Sequence, residues 1–218
     1  MHIAITGNIG AGKTTLAAQL ATYYGWDVLY EAVEGNPYLA DFYDDMPRWA
    51  FNLQVYFLNS RFDQVRKIRE IRKAHRHVNN YTHAVIQDRT IYEDAAIFAR
   101  NLRESGSMTE RDYETYQTLF ENMKSLVRPP DLMIYLRADL PKLRAQIRKR
   151  GRLFEQSISD EYLNSLNRLY DEFSAAYREG PLLVLDVNEL DYAGRPDDFA
   201  EVVRQIDERL VALAGKGN

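Results

Sequence analysis

The sequence contains no cysteine. Disulfides, thiolate zinc sites and a cysteine nucleophile are therefore all excluded. No apolar run approaches the ~20 residues that a membrane-spanning helix requires. No cationic leader precedes a long apolar segment either, so the chain reads as cytoplasmic. A surplus of basic charge is also missing: 28 Lys+Arg stand against 32 Asp+Glu, a formal charge of −4. That argues against wholesale binding to nucleic acid or an anionic membrane, and leaves local basic patches open. Linkers rich in Gly, Ser or Pro, internal repeats and low-complexity stretches are absent too. One domain is therefore expected over residues 1–218. A domain of this length buries roughly 70% of its unfolded surface and needs no covalent staple.

What is present has a regular order. Five short apolar runs, at His2–Thr6, Asp27–Glu31, Ala84–Asp88, Leu132–Leu136 and Leu182–Asp186, stand apart from longer segments with a period near 3.6. Strands alternating with helices predict an α/β fold, a five-stranded parallel sheet with helices on both faces. Phe51, Val55, Leu58, Phe62 and Val65 form one stripe of a long helix, and Gln54 and Arg61 share another side of it, two turns apart. Thr109-Glu110-Arg111-Asp112 resembles a helix start. The stripe Tyr113, Tyr116, Phe120, Met123 and Val127 then runs to a stop at Pro129-Pro130.

Gly7-Asn8-Ile9-Gly10-Ala11-Gly12-Lys13-Thr14-Thr15 matches G-x-x-x-x-G-K-[ST] in full, after a strand-like run and before an amphipathic helix. Glycines let the backbone curl so that successive N–H groups point at phosphates, and the helix N-terminus adds its positive end. Lys13 is expected on the β/γ-phosphates and the Thr14 hydroxyl on Mg²⁺. A GTPase would need an N-K-x-D segment, which the chain lacks; Asp191-Tyr192-Ala193-Gly194 fits D-x-x-G too late to be a switch. A motor ATPase would end a strand in adjacent acids, whereas the third strand gives Gln87-Asp88-Arg89. Phosphoryl transfer to a small molecule remains. A hydroxyl acceptor calls for a carboxylate and a phosphate acceptor for cations; Glu31 stands at the end of the second strand, where ligands of parallel sheets bind.

Beyond these residues the sequence resembles the deoxyribonucleoside kinase family, through E-A-V-E-G-N-P-Y-L at 31–39, Y-D-D-M-P-R-W-A-F-N-L-Q at 43–54, Asp88-Arg89-Thr90, Ile91-Tyr92-Glu93-Asp94, Ile97-Phe98-Ala99, K-R-G-R-L-F-E at 149–155 and L-D-V-N-E-L-D at 185–191. The resemblance covers most of the chain and implies a P-loop kinase fold using ATP and Mg²⁺. It implies that Glu31 contacts the 5′-hydroxyl of a deoxynucleoside as base, with Asp88, the acid of the Mg²⁺ site, as second candidate. Arg89 would hold Glu31 and steady the transferring charge. Tyr43 and Glu155 correspond to partners of the sugar 3′-hydroxyl, Gln54 to the reader of the base edge, Phe98 to the ring stacked on it, and Arg61 with Asp94 to a pair at the far end of the base pocket.

From Lys142 to Arg152 the chain carries six cationic residues and no acid. Arg144, Arg148 and Arg152 recur every four residues, on one helical side. Read alone, this island fits a solvated face or an RNA-binding patch. The resemblance makes it a lid, about 142–158, closing Arg148, Arg150 and Arg152 over the ATP phosphates. Gln146 departs from the arginine that relatives often carry there, and Arg144 or Arg148 is expected in its stead. By resemblance Asp191 and Tyr192 lie in a loop against the adenine of ATP; Tyr113, Tyr116 and Phe120 read as packing, while the family builds a homodimer interface from such helices. His75 and His77, two residues apart, splay on a helix and make a poor metal site. The preferred acceptor is expected to be deoxyadenosine, then deoxyguanosine or deoxycytidine. A thymidylate-type nucleotide kinase and a non-catalytic nucleotide-binding subunit are the competing readings.

Overall fold

The computed structural model describes residues 1–74 and 83–215; His75 and His77 lie outside the described residues. From the N-terminus, β1 (His2–Gly7) leads through the glycine loop into α1 (Lys13–Tyr24), and β2 (Asp27–Leu29) leads to α2 (Leu39–Asp44) and the long α3 (Met46–Ala74). After β3 (Val85–Asp88), α4 (Ile91–Glu93) passes through a π-helical turn at Asp94–Ala99 into α5 (Arg100–Glu104), followed by α6 (Glu110–Lys124). The chain closes with β4 (Leu132–Arg137), α7 (Leu140–Arg150), α8 (Leu153–Gln156), α9 (Asp160–Ala176), β5 (Leu182–Asp186) and α10 (Pro196–Ala214).

Among the described residues five strands form one parallel sheet, as expected; their order is β2-β3-β1-β4-β5. Its central strands are apolar on both sides because both sides are covered. Ile3, Ile5, Ile86, Leu132 and Ile134 pack with Leu16 and Leu20 of α1 and with Val202 and Ile206 of α10. Alternate residues of β4 face the other way. Met133 meets Leu58 of α3 and Tyr116 of α6, and Tyr135 meets Leu166, Leu169 and Tyr170 of α9. Among the described residues no helix is long and apolar enough to cross a membrane.

Three local expectations need correction. β2 stops at Leu29, not Glu31; the Tyr30 carbonyl accepts from Gln64 Nε2 at 2.6 Å instead of joining the ladder. That releases Glu31 from the sheet edge. α6 begins as expected, the Thr109 hydroxyl accepting from the Asp112 N–H, but it ends at Lys124, five residues before the prolines. Val127 therefore lies beyond the helix, although it still packs beside Tyr116 and Phe120. On α3 the buried side carries Ala50, Leu53, Gln54, Leu58, Arg61, Gln64 and Ile68. Of the apolar stripe read from the sequence only Leu58 is fully buried; Phe51, Val55, Phe62 and Val65 are half-buried.

Candidate active site

β1 and β3 are neighbours whose following segments leave in different directions, the position where parallel sheets open a crevice. Ile5 pairs with Asp88, and the Arg89 N–H donates to the Ile5 carbonyl at 3.0 Å. This register sets the end of β3 against the glycine loop. Gly10 and Gly12 adopt φ of +85° and +92°. A Cβ on Gly10 would stand 2.8 Å from the Leu143 carbonyl, and one on Gly12 would strike the Tyr192 hydroxyl. The Tyr192 hydroxyl itself donates to the Ala11 carbonyl at 3.1 Å, closing the loop from behind. Lys13 Nζ donates to the Asn8 carbonyl at 2.9 Å. The Thr14 hydroxyl donates to Asp88 Oδ2 at 2.6 Å, while Asp88 Oδ1 is buried without a partner.

Beside the loop lies a buried network of acids and arginines. Arg89 is a non-glycine residue at φ +71°, a strained backbone state that needs support from its surroundings. Its guanidinium pairs with Glu31 at 3.0 Å and Glu93 at 3.0 Å and donates to the Tyr170 hydroxyl at 2.8 Å. Tyr170 in turn donates to Glu93 at 2.7 Å. Glu93 is fixed a second time as the N3 acid of a capping box with Thr90. Glu31 also accepts from Arg61 at 2.8 Å, and Arg61 lies 3.6 Å from Asp94.

These acids diverge electrostatically. Burial acts to raise the Glu31 carboxyl, but Arg89, Arg61 and Lys13 together outweigh it and hold its pKa at about 2. Asp94 is pushed up to about 7 by burial, since Arg61 is the more distant partner and Glu93 and Glu31 add repulsion. Asp88 is raised as well, first by burial. Lys13 is lowered to about 7 by burial and by the Arg89 charge. Burial of a charge is tolerated only where it is matched; Glu31 is matched twice over.

A cavity of about 380 Å³ joins the two halves. Of the residues singled out in the sequence, Ile9, Gly10, Gly12, Lys13, Thr14, Thr15, Glu31, Tyr43, Gln54, Arg89, Asp94, Phe98, Arg150, Arg152 and Glu155 line it. Gly7, Asn8 and Ala11 form the inner side of the loop, and Arg61 and Asp88 stand fully buried behind the lining. Gln54 Oε1 is buried with no partner, and the Arg89 guanidinium sits 4.7 Å from the Phe98 ring centre. The π-helical turn carries both Asp94 and Phe98 to this wall; such turns recur at functional sites. Phe154 stacks on Tyr43 at 5.6 Å, and Glu155 accepts from Arg150 and Arg152.

The lid differs from expectation. Arg148 and Arg144 do not line the cavity; Gln146 and Lys149 do, with Arg150 and Arg152. At about 100° per residue, positions 146 and 148 are about 200° apart around α7. Burial of Leu143 and Ile147 fixes the helix between these flanks. Arg144 is spent on Asp160 and the Ile158 carbonyl, and Arg148 donates to the Arg144 carbonyl at 3.3 Å. Asp191 is not on the lining either; its neighbour Ala193 is, and the Asp191 carboxylate accepts from the Gly194 N–H at 3.1 Å. Sequence reasoning missed Glu93, Gln64, Tyr162, Tyr170 and the part of Tyr192 at the loop. The Thr90-x-x-Glu93 spacing was a readable signal for the first; the tyrosines had none.

The chain's similarities agree with this geometry. A family profile described as deoxynucleoside kinase matches residues 3–212. A deoxyadenosine kinase of Dictyostelium discoideum is 46% identical over 79% of this chain and 66% of its own length, so this chain spans just under two thirds of that relative. A deoxyadenosine/deoxycytidine kinase of Bacillus subtilis (strain 168) is 36% identical over 94% of this chain and 90% of its own. Among solved structures, a deoxyadenosine kinase from M. mycoides with bound dATP superposes with a TM-score of 0.78, at 31% identity over 95% of this chain and 99% of that one. The same kinase with dCMP and dCDP gives 0.79 at 30% identity, over 95% and 100%. With the profile covering nearly its whole length, the chain belongs to the deoxynucleoside kinase family.

Proposed function

We propose that the protein transfers the γ-phosphate of ATP to the 5′-hydroxyl of a deoxyribonucleoside, in salvage. The observation that carries this reading is Glu31, ionised between two buried arginines and lining the cavity beyond the phosphate loop. An acceptor that is already a phosphate would meet this carboxylate unfavourably; a hydroxyl can donate to it. With its pKa near 2, Glu31 is a weak base. In the loose transition state of phosphoryl transfer the nucleophile gives up its proton late, so a weak, rigidly held acceptor is sufficient to orient the hydroxyl and then take the proton.

The loop N–H groups and Lys13 would hold the β/γ-phosphates, whose charge would restore the full ammonium on Lys13. The Thr14 hydroxyl and Asp88 carboxylate offer hard oxygen donors, one of them unpartnered, and fit Mg²⁺. These two residues would hold the ion, and the chemistry it would supply there is positive charge against the phosphates. Arg89 would balance charge on the phosphoryl group, and Arg150 and Arg152 would approach it from the lid. Tyr43 and Glu155 would take the 3′-hydroxyl, Gln54 the base edge and Phe98 its face, with Arg61 and Asp94 behind them. Deoxyadenosine is the favoured acceptor, in keeping with relatives named deoxyadenosine kinase. The half-buried apolar residues Phe51 and Val55 of α3 and Tyr113 and Met123 of α6 suit a homodimer. A cytoplasmic enzyme is the matching location.

Competition of the four deoxynucleosides and their monophosphates for limiting ATP tests the reaction. Deoxynucleosides should be consumed, deoxyadenosine first; exclusive turnover of monophosphates would overturn the reading. Glu31→Gln should lower kcat by about 10²–10⁴-fold with the KM for ATP nearly unchanged.

A further inference from the structure

One side chain outside every sequence motif ties the phosphate loop to the root of the lid. Asn167 lies on α9, and its Nδ2 donates to the Ala138 carbonyl at 3.0 Å, between the end of β4 and the start of α7. Its Oδ1 accepts from Asn8 Nδ2 at 2.6 Å. Asn8 is buried, and every polar atom of its side chain is engaged. Nδ2 also donates to the Leu163 carbonyl at 2.9 Å, and Oδ1 accepts from the Ile9 N–H at 2.7 Å. Its main-chain carbonyl receives Lys13 Nζ at 2.9 Å and the Ala11 N–H at 3.1 Å.

Asn8 thus joins α9, through its side chain, to the main-chain carbonyl on which the ammonium of Lys13 rests and to the Ile9 N–H of the loop. Residues 163, 167 and 170 are spaced four and three apart, one side of a helix. The same side of α9 thus clasps Asn8 and, through Tyr170, braces Arg89 and Glu93.

We infer that Asn167 is a positioning residue for the nucleotide, acting through Asn8 on the phosphate loop. The inference rests on the kinase reading above. Without the clasp the loop would sample other orientations of Asn8, and binding of a triphosphate would have to select the right one. The acceptor half of the cavity has its own supports and would be left intact.

A double-mutant cycle tests this. Asn167→Ala and Asn8→Ala should each raise the KM for ATP about tenfold, with the KM for deoxyadenosine within about twofold of the parent. The double variant should again show about a tenfold rise rather than about a hundredfold, since both changes break one clasp. Rises that multiply would overturn the inference. So would an unchanged KM for ATP beside a lowered Tm, or a deoxyadenosine KM rising in step. If Asn167→Ala fails to fold, Asn167→Gln keeps the amide and displaces it by one methylene; the same pattern is expected. Calorimetric titration of the parent and variants with ATP separates the two readings. A parent that binds ATP but phosphorylates no deoxynucleoside would sink the function, and the variant affinities would still decide the clasp.

Discussion

Arginines meet the cavity at two ends, and their surroundings could hardly differ more. Arg61 and Arg89 at the floor have side chains 0% and 5% exposed, paired with Glu31, Glu93 and Asp94. Arg150 and Arg152 on the lid are 34% and 33% exposed and share one carboxylate, Glu155. Burying a guanidinium costs several kcal/mol unless its partners are fixed, which is why the floor needs a capping box and a tyrosine hydroxyl to hold it and to offset the strained backbone of Arg89. On the lid the guanidiniums are a third exposed while Glu155 itself is only 5% exposed; because that carboxylate is paired twice, either arginine can leave without stranding it. The floor is thus organised before any ligand arrives. In the proposed reaction Arg150 and Arg152 would exchange Glu155 for the nucleotide phosphates and leave Glu155 to the sugar hydroxyl.

The strongest way to break this comparison is Arg89→Met. It leaves Glu31 and Glu93 buried beside an apolar side chain, so a loss of about 3–5 kcal/mol in stability is expected, with kcat down at least about 10³-fold. Arg152→Ala should lower kcat or raise the KM for ATP, yet cost far less stability, about 1 kcal/mol or less, because Arg150 still pairs with the buried Glu155. Chemical denaturation beside steady-state kinetics reads both. Equal stability losses would erase the distinction between floor and lid.

A subtler test lies within the floor. Glu31, held at about 2, contributes stability that is fully present above the ordinary carboxylate range and is lost as pH falls towards 2. Asp94, raised to about 7, has the opposite sign. Between about pH 4 and 7 the folded chain keeps a proton on Asp94 that the unfolded chain has released, so this group lowers stability as pH rises through that window. Asp94→Asn should therefore gain stability relative to the parent from pH 5 to pH 7.5. A parallel pair of stability curves would show that Asp94 is ionised throughout and that Arg61 serves it as fully as it serves Glu31.

How far the sequence foretold these regions follows from how each is built. The phosphate loop is a contiguous run whose chemistry is carried by glycines and backbone, so spacing alone placed it. The strands were legible because burial on both faces leaves near-continuous apolar runs. The spacing of Gln54 and Arg61 revealed a shared side of α3, but nothing in the pattern showed that this polar side, rather than the Phe51–Val65 stripe, faces the interior. Arg61 is buried because Glu31 and Asp94 arrive from other elements. Tyr170 and Asn167 reach partners 81 and 159 residues away, contacts that no local pattern encodes. For α7 the sequence supplied a row of arginines but not the rotation of the helix, which depends on where Leu143 and Ile147 pack.

That rotation yields the smallest expected effect. Arg144, Arg148 and Arg152 look equivalent in sequence, four residues apart, yet only Arg152 lines the cavity, and Lys149 does so from the flank of α7 shared with Gln146. If the lid acts on phosphates from the pose seen here, Lys149→Ala should raise the KM for ATP by about two- to fivefold, the value of one partly screened charge. Arg148→Ala should leave it within about twofold, because its side chain is exposed and its hydrogen bond goes to its own helix. Raising the ionic strength should shrink the Lys149 effect and leave Arg148→Ala where it was. The reverse ranking would mean that α7 turns about its axis when nucleotide binds, bringing the four-residue arginine row inward. The lid would then be a rotating element, and the burial of Leu143 and Ile147 would describe only its open state.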